Sequence, residues 1–288
     1  MLPDKVPTSR WLAAQEQEKK GIESFKDIVE WLRVRRHTWA RLLDLLKDDI
    51  AFNNLKRILD VGSGPTSIFL ALREGEKYAV DPNLERLFLL HPFMKDVEEY
   101  EDVNFVSKPI EEAAFDKQFD LIFMINVLDH VGELKPVVDK IDELLAPCGT
   151  LVIVVDCYAD PRVKNIVSFF DVDLPHPHHF VVEDIIKLFS TYKLKKQYNN
   201  IQKIFGDCTF KGRRVEIEIH EVDKFIARMM EHIQSFGKEW DILFTLRYIL
   251  CYSLALLTAS LRRRERPIHP LKKPCLLVFQ KQESVAKL

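Results

Sequence analysis

Paired cysteines are missing from this sequence: the five, at 148, 157, 208, 251 and 275, are scattered, odd in number and form no Cys-x-x-Cys. That spacing argues against a zinc knuckle or a disulfide framework, and a reducing, cytoplasmic setting is the expectation. Neither sign of charge is in excess, with 42 Lys and Arg against 44 Asp and Glu, a net charge of −2. No global field draws such a chain to nucleic acid. The most apolar stretch, Tyr248 to Leu261, is preceded by Arg247 and falls short of the roughly 20 residues a spanning helix needs. The opening Met-Leu-Pro-Asp-Lys-Val-Pro lacks the apolar centre of a secretory signal. Internal repeats and low-complexity tracts are absent as well. A chain of 288 residues, 47% of them hydrophobic, can still bury a large core around one principal domain.

Glycine is scarce, at 9 residues, so the two placed at 62 and 64 carry weight. In Ile58-Leu59-Asp60-Val61-Gly62-Ser63-Gly64-Pro65-Thr66-Ser67 an apolar run ends in an acid and a glycine turn follows. A second apolar run, Ile68-Phe69-Leu70-Ala71-Leu72, then begins at helical spacing. Glycine lets backbone turn sharply and approach a ligand without a Cβ in the way. Nineteen residues past Gly62, Tyr78-Ala79-Val80-Asp81 repeats the apolar run ending in a carboxylate. That spacing sets Asp81 at the tip of a neighbouring parallel strand, where it can accept from both ribose hydroxyls of a nucleoside. Gly62-x-Gly64-x-x-Ser67 is also close to a dinucleotide fingerprint. Asp60 decides against that reading, because a second carboxylate would repel a pyrophosphate at the turn. A cofactor with an ammonium and a sulfonium tolerates it, and S-adenosylmethionine is favoured over NAD.

From Arg57 to Asp156 the chain resembles the class I S-adenosylmethionine-dependent methyltransferases. Asp60-Val61-Gly62-Ser63-Gly64 is similar to the family's first motif, with Thr66 where a third glycine often stands, and Asp81-Pro82 to the second. Val103-Asn104-Phe105-Val106 followed by Pro109-Ile110-Glu111 resembles the third strand and the loop that cups adenine. Proline replaces the acid often found at 109, leaving the Ile110 amide for the ring. Phe119 to His130 is similar to the fourth-strand motif, and the resemblance sets Asn126 and Val127 beside the methionine half of the cofactor. Leu144 to Asp156 resembles the helix, turn and fifth strand that follow. Cofactor contacts are therefore expected at Asp60, Gly62, Ser63, Gly64, Asp81, Pro82, Ile110, Glu111, Asn126 and Val127.

The fold class expected is α/β, a Rossmann-like, seven-stranded, mostly parallel sheet flanked by helices, the last strand antiparallel beside the sixth. Residues 1–55 read as an N-terminal helical cover and 56–288 as the methyltransferase domain, with 205–270 a mostly helical insertion or cap. Within these spans the pattern predicts a helix over 180–189, strands over 192–198, 210–220 and 274–280, and long helices over 221–236 and 238–264. Trp11, Trp31 and Trp39 recur at helical spacing in the cover and read first as helix packing, second as a roof over the cofactor. Arg33, Arg35, Arg36, His37 and Arg41 read as a solvated basic face, or as a site for an anion.

The catalytic group is not identified. Methyl transfer from a sulfonium requires alignment, and a base where the acceptor is a hydroxyl. His130, after the fourth strand, and His176, His178 and His179 in the unusual Pro175-His176-Pro177-His178-His179 are the candidates. No carboxylate or cysteine stands at ligand spacing within that run, so no metal is expected. The acceptor expected is a small molecule or lipid-like compound, methylated on O or N. Residues 242–266, apolar and then basic, read as a buried cap helix, a homodimer contact, or an interfacial helix meeting anionic lipid. Competing readings are a non-catalytic Rossmann-like module binding a nucleoside or a partner, an RNA methyltransferase, and an NAD-dependent enzyme.

Overall fold

The computed structural model describes residues 7–24, 28–171, 173, 175–198, 201, 204, 207–210, 213–216, 247, 249–251, 253–254 and 272–282. Its strands are β1 Arg57–Val61, β2 Glu76–Val80, β3 Val103–Val106, β4 Phe119–Ile125, β5 Leu145–Tyr158, β6 Tyr192–Tyr198, β7 Asp207–Phe210, β8 Arg213–Glu216 and β9 Lys272–Lys281. The helices are α1 Thr8–Ser24, α2 Ile28–Leu46, α3 Leu84–Leu90, α4 Leu134–Leu144, α5 Pro161–Phe170 and α6 Val182–Leu188. Seven strands form one sheet in the order β3-β2-β1-β4-β5-β9-β6. The neighbours from β3 to β5 pair in parallel, and β9 enters antiparallel between β5 and β6. Strand order reverses between β1 and β4, which opens a crevice at their carboxyl ends.

Both faces of the sheet are covered, which is why β4 is apolar at nearly every position. Ile122 and Met124 join a core with Val137 and Ile141 of α4. Leu121 and Phe123 point the other way, into a core with Leu32, Trp39, Leu42 and Leu46 of α2. The N-terminal helix α2 therefore covers the face above β1 that a longer crossover helix would have covered. The apolar run after the glycine turn differs from the helix its spacing predicts. It forms only a 3₁₀ turn, Ile68–Leu70, capped by the Ser67 hydroxyl accepting from Phe69 N. Pro65 and the turn at Gly75 (φ +72°) leave a crossover too short for a full helix.

Two contacts bind α2 to this turn and its neighbour, and a third ties the neighbour to the turn. Trp39 Nε1 donates to the Thr66 carbonyl at 2.7 Å, and the Tyr100 hydroxyl to the Pro65 carbonyl at 3.2 Å. Arg36 grips the Glu99 carboxylate in a bidentate pair at 2.7 and 2.9 Å. The basic face expected on α2 is thus partly committed to structure, with Arg33 bonded to Glu30 at 2.6 and 2.8 Å as well.

The 180–189 helix is confined to α6, because Phe180 bridges to Cys157 of β5 as a parallel pair. The strand expected over 210–220 is seen as the antiparallel hairpin of β7 and β8. The helices expected over 221–236 and 238–264, and with them most of 205–270 and 242–266, lie outside the described residues. Of that segment Arg247 donates to the Phe170 carbonyl at 2.6 Å and Cys251 is buried. Among the described residues, no helix is long and apolar enough to cross a membrane.

Trp39→Phe removes the indole N–H and part of the buried ring, which strands the Thr66 carbonyl and leaves a small void. Urea unfolding should show a loss of about 1–3 kcal/mol, the cost of an unpaired buried acceptor.

Candidate active site

Asp60 sits near the end of β1, between Ala79 of β2 and Phe123 of β4. Its Oδ2 accepts from the Ser67 hydroxyl at 2.6 Å and from the Ile68 amide at 3.0 Å, which folds the glycine turn back over the strand. Burial pushes this carboxyl up to about 7, against the opposing pull of those two hydrogen bonds. Asp81, just past β2, accepts from Gly64 N at 3.1 Å and Asn83 N at 2.8 Å. Burial raises its carboxyl too, with the two amides opposing. The two acidic tips and the glycine turn are therefore one hydrogen-bonded unit.

The glycines answer to different constraints. Gly62 has φ +65°, and a Cβ there would stand 2.3 Å from Val127 Cγ2. Close packing against the end of β4, as much as room for a ligand, demands glycine at 62. Gly64 has φ +51° and nothing within 4 Å of a built Cβ, so it borders open space. Asn126, at the end of β4, also takes a left-handed φ of 54° while its amide donates to Val154 at 2.8 Å. Asparagine is among the few residues that enter this region at modest cost.

These elements enclose a cavity of about 370 Å³. All ten residues expected at the cofactor line it: Asp60, Gly62, Ser63, Gly64, Asp81, Pro82, Ile110, Glu111, Asn126 and Val127. The N-terminal helices close it, with Trp11, Gln15 and Glu18 from α1 and Trp31, Arg35 and Trp39 from α2. The tryptophans thus do more than pack helices. Gln15 and Glu18 escaped the sequence reading, although 11, 15 and 18 repeat at one-face helical spacing. The Arg35 guanidinium lies 4.4 Å from the Trp31 ring centre and 5.1 Å from that of Trp39. Cation–π contact holds a positive charge in the lining of the cavity.

The four candidate histidines separate. His130 lines the cavity. His178 is buried, its Nε2 on the Val131 carbonyl at 3.0 Å, and burial lowers its basicity. His179 bonds the Ser168 hydroxyl at 2.9 Å and is pushed down to about 4, again by burial. Neither is among the residues lining the cavity, and both serve the packing of the loop. His176 bonds Asp173 at 2.7 Å through Nδ1 and lies ring to ring with His130, centres 4.8 Å apart. Burial opposes its protonation, but Asp173 outweighs that and raises it.

A nucleoside with a cationic amino-acid tail fits this wall: an acid stands at each strand tip, open space lies beside Gly64, and Arg35 is among the residues lining the same cavity. The profile of the methyltransferase-domain family matches residues 31–199, more than half of the chain. This chain belongs to that family. It is a class I S-adenosylmethionine-dependent methyltransferase. The malonyl-[acyl-carrier protein] O-methyltransferase 2 of Ilyobacter polytropus is similar to the methyltransferase at 27% identity over 184 residues, 61% of this chain and 67% of that protein. Among solved structures, YcgJ of Bacillus subtilis matches with a TM-score of 0.55 and 18% identity, covering 85% of this chain and 99% of that one. The StiE O-MT segment, residues 961–1257, matches at 0.51 and 12%, covering 85% and 74%. These two likenesses concern the fold.

Two outcomes follow for the methyltransferase's loop. Gly62→Ala should destabilise the protein by about 1–3 kcal/mol in urea titrations, since positive φ and a clash combine. Adding Val127→Ala should recover the clash part only. Asp60 ionises near 4 when unfolded and at about 7 when folded, so the folded state holds its proton longer. Its contribution to stability is present at low pH and is lost as pH rises through 7. Asp60→Asn should flatten that decline in unfolding free energy between about pH 4 and 8.

Proposed function

We propose that this methyltransferase carries the methyl group of S-adenosylmethionine to an oxygen or nitrogen of a small-molecule or lipid-like acceptor, a carboxylate oxygen first among them. The observation that carries this reading is the charge pattern of the cavity lining, the carboxylates of Glu18, Asp60, Asp81 and Glu111 together with the guanidinium of Arg35. Asp81 would accept from the ribose hydroxyls, with Pro82, Ile110 and Glu111 around adenine. Asp60 would offset the positive tail, and Arg35 would pair with the methionine carboxylate. Asn126 and Val127 would flank the sulfur, and Ser63 and Gly64 would run alongside the ligand. A cavity near 370 Å³ lies within the roughly 300–1,000 Å³ of small-molecule sites.

The cofactor supplies an already activated methyl group; the protein's residues align and desolvate. The sulfur–carbon bond breaks as the acceptor's bond to carbon forms, leaving a neutral thioether. A carboxylate is ionised beforehand and needs no base, which suits a site from which His178 and His179 are turned away. For a hydroxyl acceptor, His130 is the candidate histidine that lines the cavity, and with both ring nitrogens unligated it could take the proton. The relative from Ilyobacter polytropus is named for O-methylation of a malonyl group on an acyl-carrier protein, which supports an acidic acyl acceptor here.

Mass spectrometry after incubation with methyl-labelled S-adenosylmethionine, malonyl-acyl-carrier protein and a panel of small carboxylates tests the acceptor. Label in a methyl ester is expected; label confined to RNA or protein side chains would overturn the assignment. Asp81→Ala should weaken cofactor binding by about 1–3 kcal/mol in calorimetry, the scale of lost bonds to a charged group. Arg35→Met should weaken S-adenosylmethionine but leave methylthioadenosine, which has no carboxylate, unchanged. Equal losses for both ligands would remove Arg35 from that role.

A further inference from the structure

Beside the cavity, three metal-ligating side chains from distant parts of the chain converge. Asp129 and His130 follow β4, and His176 comes from the loop after α5. One ligand atom from each lies within 4.8 Å of the other two. His130 Nε2 is 3.9 Å from Asp129 Oδ1, and His176 Nε2 is 3.9 Å from Asp129 Oδ2. Both imidazoles thus turn the same nitrogen toward one carboxylate.

The opposite nitrogens are backed by acids. His176 Nδ1 bonds Asp173 Oδ1 at 2.7 Å. Asp173 is itself fixed by Lys272 and, through its backbone carbonyl, by Arg10 at 2.7 Å. Glu18 of α1 stands 3.4 Å from His130 Nδ1, at an ion-pair distance without hydrogen-bond geometry. A carboxylate behind each imidazole orients the ring and leaves the Nε2 lone pair for an ion, the arrangement found around metal-bound histidines.

A second observation comes from Asp129 itself. The residue is 3% exposed, and its Oδ1 is buried with no hydrogen-bond partner. An orphaned carboxylate oxygen in the interior is costly and calls for a positive partner. Imidazoles at 3.9 Å are too far to supply a hydrogen bond, yet they leave a space between the three groups. Tetrahedral bonds of about 2.0–2.2 Å hold ligand atoms about 3.3–3.6 Å apart, so the two 3.9 Å contacts close by about half an ångström and the widest pair by about an ångström as the rings turn onto an ion.

We propose that Asp129, His130 and His176 bind a divalent transition-metal ion of the zinc or cobalt type, with Asp173 and Glu18 as positioning residues. Two imidazoles and one carboxylate suit such borderline ions better than magnesium or calcium. Three protein ligands leave coordination open, for water or for an oxygen of a small molecule in the cavity that His130 lines. The histidine run by itself argued against a metal, because its partner carboxylate lies on another segment of the chain.

The test uses the full chain, stripped with a chelator and titrated without cofactor. Zinc should bind at one equivalent by calorimetry, and cobalt(II) should give the visible absorption of a low-symmetry nitrogen–oxygen site. His176→Ala and His130→Ala should each abolish the one-equivalent step, and Asp173→Asn should weaken it about 10–100-fold. Thermal unfolding of all the variants, and S-adenosylmethionine binding of His176→Ala, whose side chain is not among those lining the cavity, report whether the fold survives. Less than one equivalent of zinc on the folded parent chain, or an unaltered titration in both folded histidine variants, would overturn the proposal. Failure of the zinc titration with S-adenosylmethionine binding intact would leave the assigned methyl transfer standing.

Discussion

One carboxylate oxygen, Asp60 Oδ2, holds the cofactor end of this methyltransferase in shape. It collects the Ser67 hydroxyl and the Ile68 amide, and so converts a short crossover into a tight, capped turn. Without that tie Gly62 and Gly64 would have freedom in excess, since glycine loses more backbone entropy on folding than any other residue. Asp81 then reaches across to the Gly64 amide, joining the tips of β1 and β2. Burying two acids so close together costs energy, visible in the raised ionisation of both.

The N-terminal helices do structural and functional work with the same residues. Trp39 is buried against the core, bonds the glycine-turn segment through Thr66, and lines the cavity. Arg36 is consumed by Glu99, while Arg35, one position earlier and so rotated about the helix, is stacked between two indoles at the cavity. Adjacent arginines on one helix thus have different fates because a helix turns about 100° per residue. Cover, anchor and charge complement come from one element, and the cavity closes only when that element docks.

Much of the sheet was legible in the sequence. β1, β2, β4 and β5 announce themselves as apolar runs with acids or asparagine at their ends, and β6 was read to its residue limits. The ten residues expected at the cofactor all line the cavity, since the glycines, strand tips and following residues sit close together along the chain. The helix expected after the glycine turn failed because apolar spacing does not register how short the crossover is. Of the strand expected over 210–220, β8 at Arg213–Glu216 is described, and its antiparallel partner β7 ends at Phe210, where the expected span begins.

Local pattern thus settled what depends on short-range chemistry: which segments are strands, where backbone must enter the left-handed region, and which acids cap the strands. Only the folded chain decided which side of α2 faces the cavity, that Trp11, Gln15 and Glu18 close it, and that His178 and His179 are buried packing. It alone brought His176 to Asp129 and His130 across an intervening helix, strand and helix. Such encounters depend on long-range closure around a common core, where packing of both sheet faces selects one arrangement from many that the same local pattern permits.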